Sequence, residues 1–124
     1  MLHEKSQASS TIRTFKSRDG VIETVITGRL TEAMLLTAFA DLEKLGAGPV
    51  WLVDGSGTDS FETRSVAVAS RLLPEMHKKG LVRMIAILKS PGMRMAARAV
   101  AVASRIDIRI VESRLEAAPL VSLK

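Results

Sequence analysis

Two short apolar runs constrain this sequence most strongly: residues 49–53, which are continuously apolar, and residues 81–88, which are interrupted only by Arg83. Runs of this length are typical of strands that are buried on both faces of a parallel sheet. Between them, residues 61–79 carry apolar side chains at helical spacing, and Gly80 follows as a helix-ending residue. Because parallel strands need a crossover connection, this alternation predicts right-handed β-α-β units in an α/β domain.

The flanking segments continue the alternation and complete the predicted order β-β-α-β-α-β-α-β-α. We expect a mixed sheet of four or five strands, antiparallel at its first hairpin, with Trp51 in the core and a kink at Pro74 in the second helix. The other predicted elements are a hairpin over 11–30 turning at Arg18-Asp19-Gly20, a helix over 32–45 closed by Gly46, a helix over 91–104 capped by Ser90, a strand over 106–111, and a short helix from the capping box at 113–116.

Composition excludes several kinds of site. Among its 124 residues the chain has no Cys and two His, so disulfides, thiolate nucleophiles and Cys- or His-based metal sites are excluded. We therefore predict no metal, no cofactor and no catalysis. Residues 1–9 are polar and are interpreted as a flexible leader, with 10–124 as a single domain. No stretch approaches the roughly 18 apolar residues of a membrane span, which favours a cytoplasmic protein.

A family likeness is carried by residues 50–57 and by Phe61-Glu62-Thr63-Arg64-Ser65. They resemble the central segment of STAS domains, the anti-sigma-factor-antagonist family, in which a strand ends in Asp, a Ser-Gly loop follows, and an Asp-Ser-Ser-Gly motif opens the next helix eight residues after that Asp. Counting eight from Asp54 reaches Glu62. The resemblance covers about residues 11–122. It implies a STAS-like fold with helices mainly on one face and a non-catalytic protein-interaction module of bacterial signalling.

The resemblance also implies a changed switch. Arg64 occupies the position of the family's phosphoacceptor serine, and an arginine cannot be phosphorylated. In the family, phosphorylation at this helix start adds about two negative charges and switches off partner binding. Thr63 and Ser65 are the neighbouring hydroxyls that could accept phosphate instead. The alternative is that both are ordinary helix-start residues.

The predicted loop at 55–60 and the following helix start form the candidate site. A protein partner is the first hypothesis. The second is a small anionic ligand, such as a nucleotide, held by Gly55, Ser56, Gly57 and Ser60 with Arg64 alongside, although the loop lacks the P-loop and G-x-G-x-x-G patterns. The candidate residues for partner or ligand are Ser56, Gly57, Thr58, Asp59, Ser60, Thr63, Arg64 and Ser65.

Three carboxylates, Asp54, Asp59 and Glu62, are expected near the carboxyl edge of the sheet, where α/β proteins place ligands. One interpretation is a magnesium site. The other is helix capping, in which Asp59 or Ser60 satisfies free N–H groups of the second helix and Glu62 complements its dipole.

The formal net charge of +5 is unevenly distributed, because residues 61–105 hold nine Lys or Arg and two acidic residues. Helical spacing predicts two basic stripes, which fit a solvated face, an acidic protein partner or peripheral contact with anionic lipid. The sequence leaves open whether the protein forms a homo-oligomer. The four aromatic residues mostly occupy core-like positions, and none lies between the basic residues of the stripes, which argues against specific nucleic-acid binding. The stripes are Arg64, Arg71 and Lys78, and Arg94, Arg98 and Arg105.

Overall fold

The structure, a computed structural model, describes residues 10–17, 19–46 and 48–123. The predicted leader at 1–9 and the turn residue Arg18 lie outside the described residues. The elements in chain order are β1 (Thr11–Lys16), β2 (Ile22–Leu30), α1 (Glu32–Lys44), β3 (Val50–Phe61), α2 (Arg64–Lys78), β4 (Arg83–Ile87), α3 (Pro91–Ser104), β5 (Asp107–Val111), α4 (Arg114–Ala117) and a 3₁₀ turn (Ala118–Val121).

The strands of the described residues form one five-stranded sheet in the order β1-β2-β3-β4-β5. β1 pairs antiparallel with β2, and the remaining neighbours pair parallel. This confirms the predicted mixed sheet with its antiparallel hairpin. Each parallel crossover steps in the same direction across the sheet, so right-handed connections place α1, α2 and α3 on the same face. The predicted arrangement of helices mainly on one face is therefore confirmed.

The main core lies between the sheet and these helices. Trp51 is 1% exposed, as predicted, and its ring meets Phe39 of α1 edge-on at a centroid distance of 5.1 Å. The indole Nε1 donates to Thr24 Oγ1 over 2.9 Å, which satisfies its buried polar atom. A smaller cluster on the opposite face joins Ala117 of α4 to Leu52 and Ile85.

The helix boundaries follow the predicted chemistry at several ends. Thr31 Oγ1 accepts a hydrogen bond from the Met34 backbone N–H, and Ser90 Oγ accepts one from Met93. Gly46 and Gly80 have positive φ angles of 80° and 115°, which glycine adopts without the steric cost that a Cβ brings. α2 continues through Pro74. None of the helices in the described part of the chain is long and apolar enough to cross a membrane.

The prediction of a loop over residues 55–60 is wrong, because β3 continues to Phe61. The reason is non-local: β2 extends alongside this segment and pairs with it from Thr27–Gly57 to Leu30–Phe61. Gly57 permits this close pairing, since a Cβ there would lie 3.2 Å from Thr27 Cγ2. The second helix consequently begins at Arg64 rather than at Phe61.

The hydrogen bond between Trp51 and Thr24 gives a first prediction. Thr24→Val keeps the side-chain shape but leaves the Trp51 indole N–H buried and unpaired, and it also removes the 2.9 Å contact between the hydroxyls of Thr24 and Thr14. We expect the free energy of unfolding, measured by urea denaturation, to fall by about 1–3 kcal/mol. In a Trp51→Phe background the same substitution should cost less, and an equal cost in both backgrounds would contradict this account.

Candidate functional site

The candidate site lies where β2 and β3 end side by side. Leu30 and Phe61 are paired as the last residues of these two strands, and the backbone N–H of Glu62 donates to the Leu30 carbonyl over 2.9 Å. α1 and α2 begin directly afterwards, at Glu32 and Arg64. The starts of two helices therefore meet at the carboxyl edge of the sheet, the position at which α/β folds place ligands.

Five of the predicted site residues are exposed along the second half of β3 and the start of α2, and we call them the α2 N-terminal surface: Ser56, Gly57, Asp59, Thr63 and Arg64. The other predicted residues are less accessible. Ser60 is half-buried. Thr58 and Ser65 are each only 3% exposed, and the Thr58 hydroxyl donates to the Ile26 carbonyl over 3.2 Å. The structure thus leaves five members of the predicted set exposed along the second half of β3 and the start of α2, and it places two others in the interior.

Arg64 is the most prominent charged group of this surface, with a side chain that is 82% exposed. Its Nη1 lies 3.8 Å from Glu32 Oε1, a distance and exposure at which an ion pair is weak. At the first position of α2 the guanidinium also faces the positive end of the helix dipole. The cation is consequently available to a carboxylate from outside.

The capping roles predicted for this segment are wrong. Asp59 and Ser60 lie within β3, too early in the chain to cap α2, and Thr63 makes no side-chain capping hydrogen bond. Glu62 serves the other helix, because its Oε1 accepts the backbone N–H of Glu32 at 2.7 Å. A carboxylate at the start of α1 satisfies a free N–H group and complements the dipole of that helix.

Two of the three carboxylates that a magnesium site would have required, Asp54 and Glu62, are engaged in other bonds. Asp54 Oδ1 accepts the backbone N–H and the hydroxyl of Ser56, at 3.0 and 2.7 Å. Glu62 is bound to α1 as described above. Within residues 10–17, 19–46 and 48–123, no group of three or more His, Asp or Glu side chains could hold a metal ion.

An ionic cluster that the sequence did not predict fastens α4 to the sheet. Arg114 Nε donates to Asp54 Oδ2 over 3.0 Å, and Arg114 Nη1 donates to Glu23 Oε1 over 3.1 Å. Partial burial acts to raise the pKa of Asp54, but hydrogen bonds from Ser56 and the Arg114 guanidinium outweigh it and hold the pKa below the ordinary value of 3.8. The capping box in the sequence predicts α4 itself. The acidic partners of Arg114 lie 60 and 91 positions away in the chain, so no local pattern indicates them.

The predicted basic stripes are partly neutralised. Arg94 pairs with Glu112 at 2.6 Å, and Lys78 lies 3.6 Å from Glu75. Arg71, Arg98 and Arg105 are exposed. Arg105 also ends α3 with a φ of 60°, a left-handed conformation that side chains other than glycine rarely adopt.

Comparison with solved structures decides the fold. An uncharacterized DUF3478-family protein with a SpoIIAA-like fold from Shewanella loihica superposes with a TM-score of 0.64 at 19% identity, covering 92% of this chain and 94% of its own. The chain has a SpoIIAA-like fold. An anti-sigma factor antagonist from Mycobacterium paratuberculosis matches with a TM-score of 0.67 at 13% identity, covering 91% of this chain and 94% of its own.

A third structure, the anti-sigma factor antagonist SpoIIAA in its unphosphorylated form, matches with a TM-score of 0.64 at 14% identity, covering 90% of this chain and 97% of its own. No family model matches the sequence, and comparison with curated proteins gives no match. The STAS-like domain inferred from the resemblance is thus supported by structure, and at these identities the likeness establishes the fold.

The ionic cluster predicts a specific effect of pH. Because the pKa of Asp54 is lowered on folding, its stabilising contribution is present above the ordinary value of 3.8 and is lost as the pH falls through the lowered value. In an NMR titration of the side-chain carboxyl, Asp54 should titrate below 3.8, and Arg114→Gln should raise its midpoint.

Arg109→Gln is the matched control for this titration. Arg109 hydrogen-bonds to Asp107, and this bond lowers the pKa of Asp107 despite its partial burial. The control should raise the Asp107 midpoint and leave that of Asp54 unchanged. An Asp54 midpoint that is insensitive to Arg114→Gln would show that Arg114 does not stabilise the ionised carboxylate.

Proposed function

We propose that this protein is a non-catalytic interaction module of bacterial signalling that docks a protein partner on the α2 N-terminal surface. The observation that carries the proposal is Arg64, an exposed guanidinium at the start of α2 where two strands end, within a SpoIIAA-like fold. Two of the solved relatives are anti-sigma factor antagonists. We further propose that residues 10–124 act as one domain in the cytoplasm.

The chemistry of the surface favours a partner that presents a carboxylate. Arg64 offers a planar, fork-shaped set of donors suited to bidentate pairing with Asp or Glu. Its contact with Glu32 is long and solvent-exposed, so a partner's acid can displace it at small cost. Asp59, also exposed, contributes a charge of opposite sign nearby in the sequence, which can fix the orientation of the docked partner.

The groups that could otherwise support catalysis are engaged in structural bonds, which supports a non-catalytic role. Asp54 is held by Ser56 and Arg114, and Glu62 is held by the start of α1. The competing hypothesis of a small anion held by Gly55, Ser56, Gly57 and Ser60 is less favoured, because the Gly-Ser-Gly segment is part of β3 and pairs with β2. A protein partner therefore fits the geometry better than a nucleotide does.

The proposed module is not switched by phosphorylation in the manner of the family it resembles. Arg64 stands at the resembling position, and Ser65 is 3% exposed, so a phosphate on Ser65 would place about −1.5 to −2 charges in the interior. Thr63 is exposed and directly precedes the helix, so its hydroxyl is the more accessible of the two. Without a phosphate on either residue, the interaction is constitutive, or it is set by a ligand or by protein abundance.

Charge reversal at Arg64 tests the docking surface. A glutamate at the first position of α2 is compatible with the helix dipole, so Arg64→Glu should fold normally. Repulsion of an acidic partner should weaken binding about tenfold or more, which corresponds to roughly 1.4 kcal/mol. The measurement is capture of partners from the native host by the immobilised protein, identified by mass spectrometry and followed by titration with the purified partner.

Arg71→Glu is the matched control, because Arg71 is exposed on the same helix, about two turns further along. A partner that docks at the α2 N-terminal surface should be lost with Arg64→Glu and retained with Arg71→Glu. Equal capture by the wild type and both variants would refute this placement of the site.

The regulatory part of the proposal has its own test. Protein purified from its native host should carry no stoichiometric phosphate at Thr63 or Ser65 when its intact mass is measured and its peptides are mapped. A fully occupied phosphate at either residue would overturn the constitutive interpretation, because a phosphate beside Arg64 would form a charge-assisted hydrogen bond and change the surface.

A further inference from the structure

A cavity of about 90 Å³ lies within the main core, between the sheet and α1, α2 and α3. Small side chains account for it, since five of the residues that line it are alanines: Ala38, Ala69, Ala86, Ala96 and Ala97. Larger neighbours such as Phe39 and Trp51 complete the wall. Protein cores are normally packed with few voids larger than a water molecule, so a space of this size is a feature of the fold to be explained.

One polar group in the wall of this cavity is unsatisfied. Ser65 is 3% exposed and lines the cavity, and its hydroxyl has no hydrogen-bond partner among the residues that the structure describes. The other hydroxyl in the wall belongs to Thr24, whose Oγ1 already contacts Trp51 Nε1 and Thr14 Oγ1, each at 2.9 Å. Leaving a buried hydroxyl unpaired is unfavourable by about 1–3 kcal/mol, so such groups usually have a partner.

The surroundings of the Ser65 hydroxyl indicate what that partner is. A buried water molecule typically makes two to four hydrogen bonds, and this wall is otherwise almost wholly apolar. A molecule with an apolar body and a single oxygen matches the wall better. Its body needs no hydrogen bonds from the apolar side chains, and its oxygen can pair with the Ser65 hydroxyl. An apolar cavity of about 150 Å³ accommodates benzene, so about 90 Å³ corresponds to roughly four non-hydrogen atoms.

We propose that this cavity is a binding site for a small, mainly apolar molecule that carries one carbonyl or hydroxyl oxygen, with that oxygen hydrogen-bonded to Ser65 Oγ. The site is separate from the α2 N-terminal surface, and it does not depend on the proposed docking function. Ser65 itself, which the resemblance offered as a phosphate acceptor, takes the role of the polar anchor in an otherwise apolar site.

Two probes of equal shape test the anchor. Acetone and isobutene each have four non-hydrogen atoms, and they differ in whether the terminal group is an oxygen or a methylene. Binding is followed through the NMR shifts of methyl groups in the cavity wall, such as those of Met93, Val100 and Ile108. Both probes should give saturable shifts of these methyl groups with the wild-type protein.

Ser65→Ala removes the hydroxyl and should weaken acetone binding about threefold to tenfold, while the affinity for isobutene stays the same or increases. The variant should fold well without a probe, because it removes an unpaired buried group. A thermal midpoint equal to or above that of the wild type is expected. Equal effects of Ser65→Ala on both probes would overturn the role of Ser65.

A filling variant tests the cavity itself. Ala97→Val should abolish binding of both probes, and Ala99→Val, an exposed position on the same helix, should leave both affinities unchanged. Folding of each variant is checked by its NMR spectrum before titration. Absence of saturable shifts in the wild type, or retention of binding by a folded Ala97→Val protein, would refute the site.

Discussion

The order of the strands is the constraint on which the rest of this structure depends. β2, β3, β4 and β5 follow one another across the sheet in chain order, and each connection is a parallel crossover. Because such crossovers are right-handed, α1, α2 and α3 have to cover the same face. Parallel strands also end at the same edge of the sheet. Because Leu30 and Phe61 are paired at that edge, α1 and α2 both begin there. The position of Arg64 is a consequence of topology.

The opposite face of the sheet would be uncovered without the C-terminal segment. α4 and the 3₁₀ turn lay Ala117, Leu120 and Val121 against it. So short a segment buries little apolar area. Arg114 helps to fix the orientation of α4 on the sheet by binding both Asp54 and Glu23. Asp54 also accepts the hydroxyl of Ser56, a member of the α2 N-terminal surface, so one carboxylate contacts both that residue and Arg114 of α4.

Local sequence predicted the elements whose pattern is complete within one segment. Residues 50–53 read as a buried strand because the run is continuously apolar, and Ser90-Pro91 fixed the start of α3 through its capping chemistry. The composition of residues 55–60 predicts a loop, because Gly, Ser, Thr and Asp are typical of turns. Their strand conformation depends on pairing with residues of β2 some thirty positions earlier, which no local pattern contains.

The sequence predicts where along the chain the candidate site lies, but it predicts only some of the residues that are exposed there. The exposed residues Thr63 and Arg64 follow from the place of the motif, whereas the contacts of Glu62 and Asp54 are long-range. The burial of Ser65 has a local signal in the periodicity of α2. Ser65 shares a helical face with Val68, Leu73 and Met76, all buried, so the periodicity of α2 already pointed its side chain inward.

The proposed docking of partners on the α2 N-terminal surface is tested by an NMR titration of the ¹⁵N-labelled protein with a purified partner, followed through the backbone amide signals. The account predicts that the largest shifts occur at Ser56, Gly57, Asp59, Thr63 and Arg64. Shifts confined to another exposed region, such as the outer face of α3 around Met95 and Val102, would contradict it.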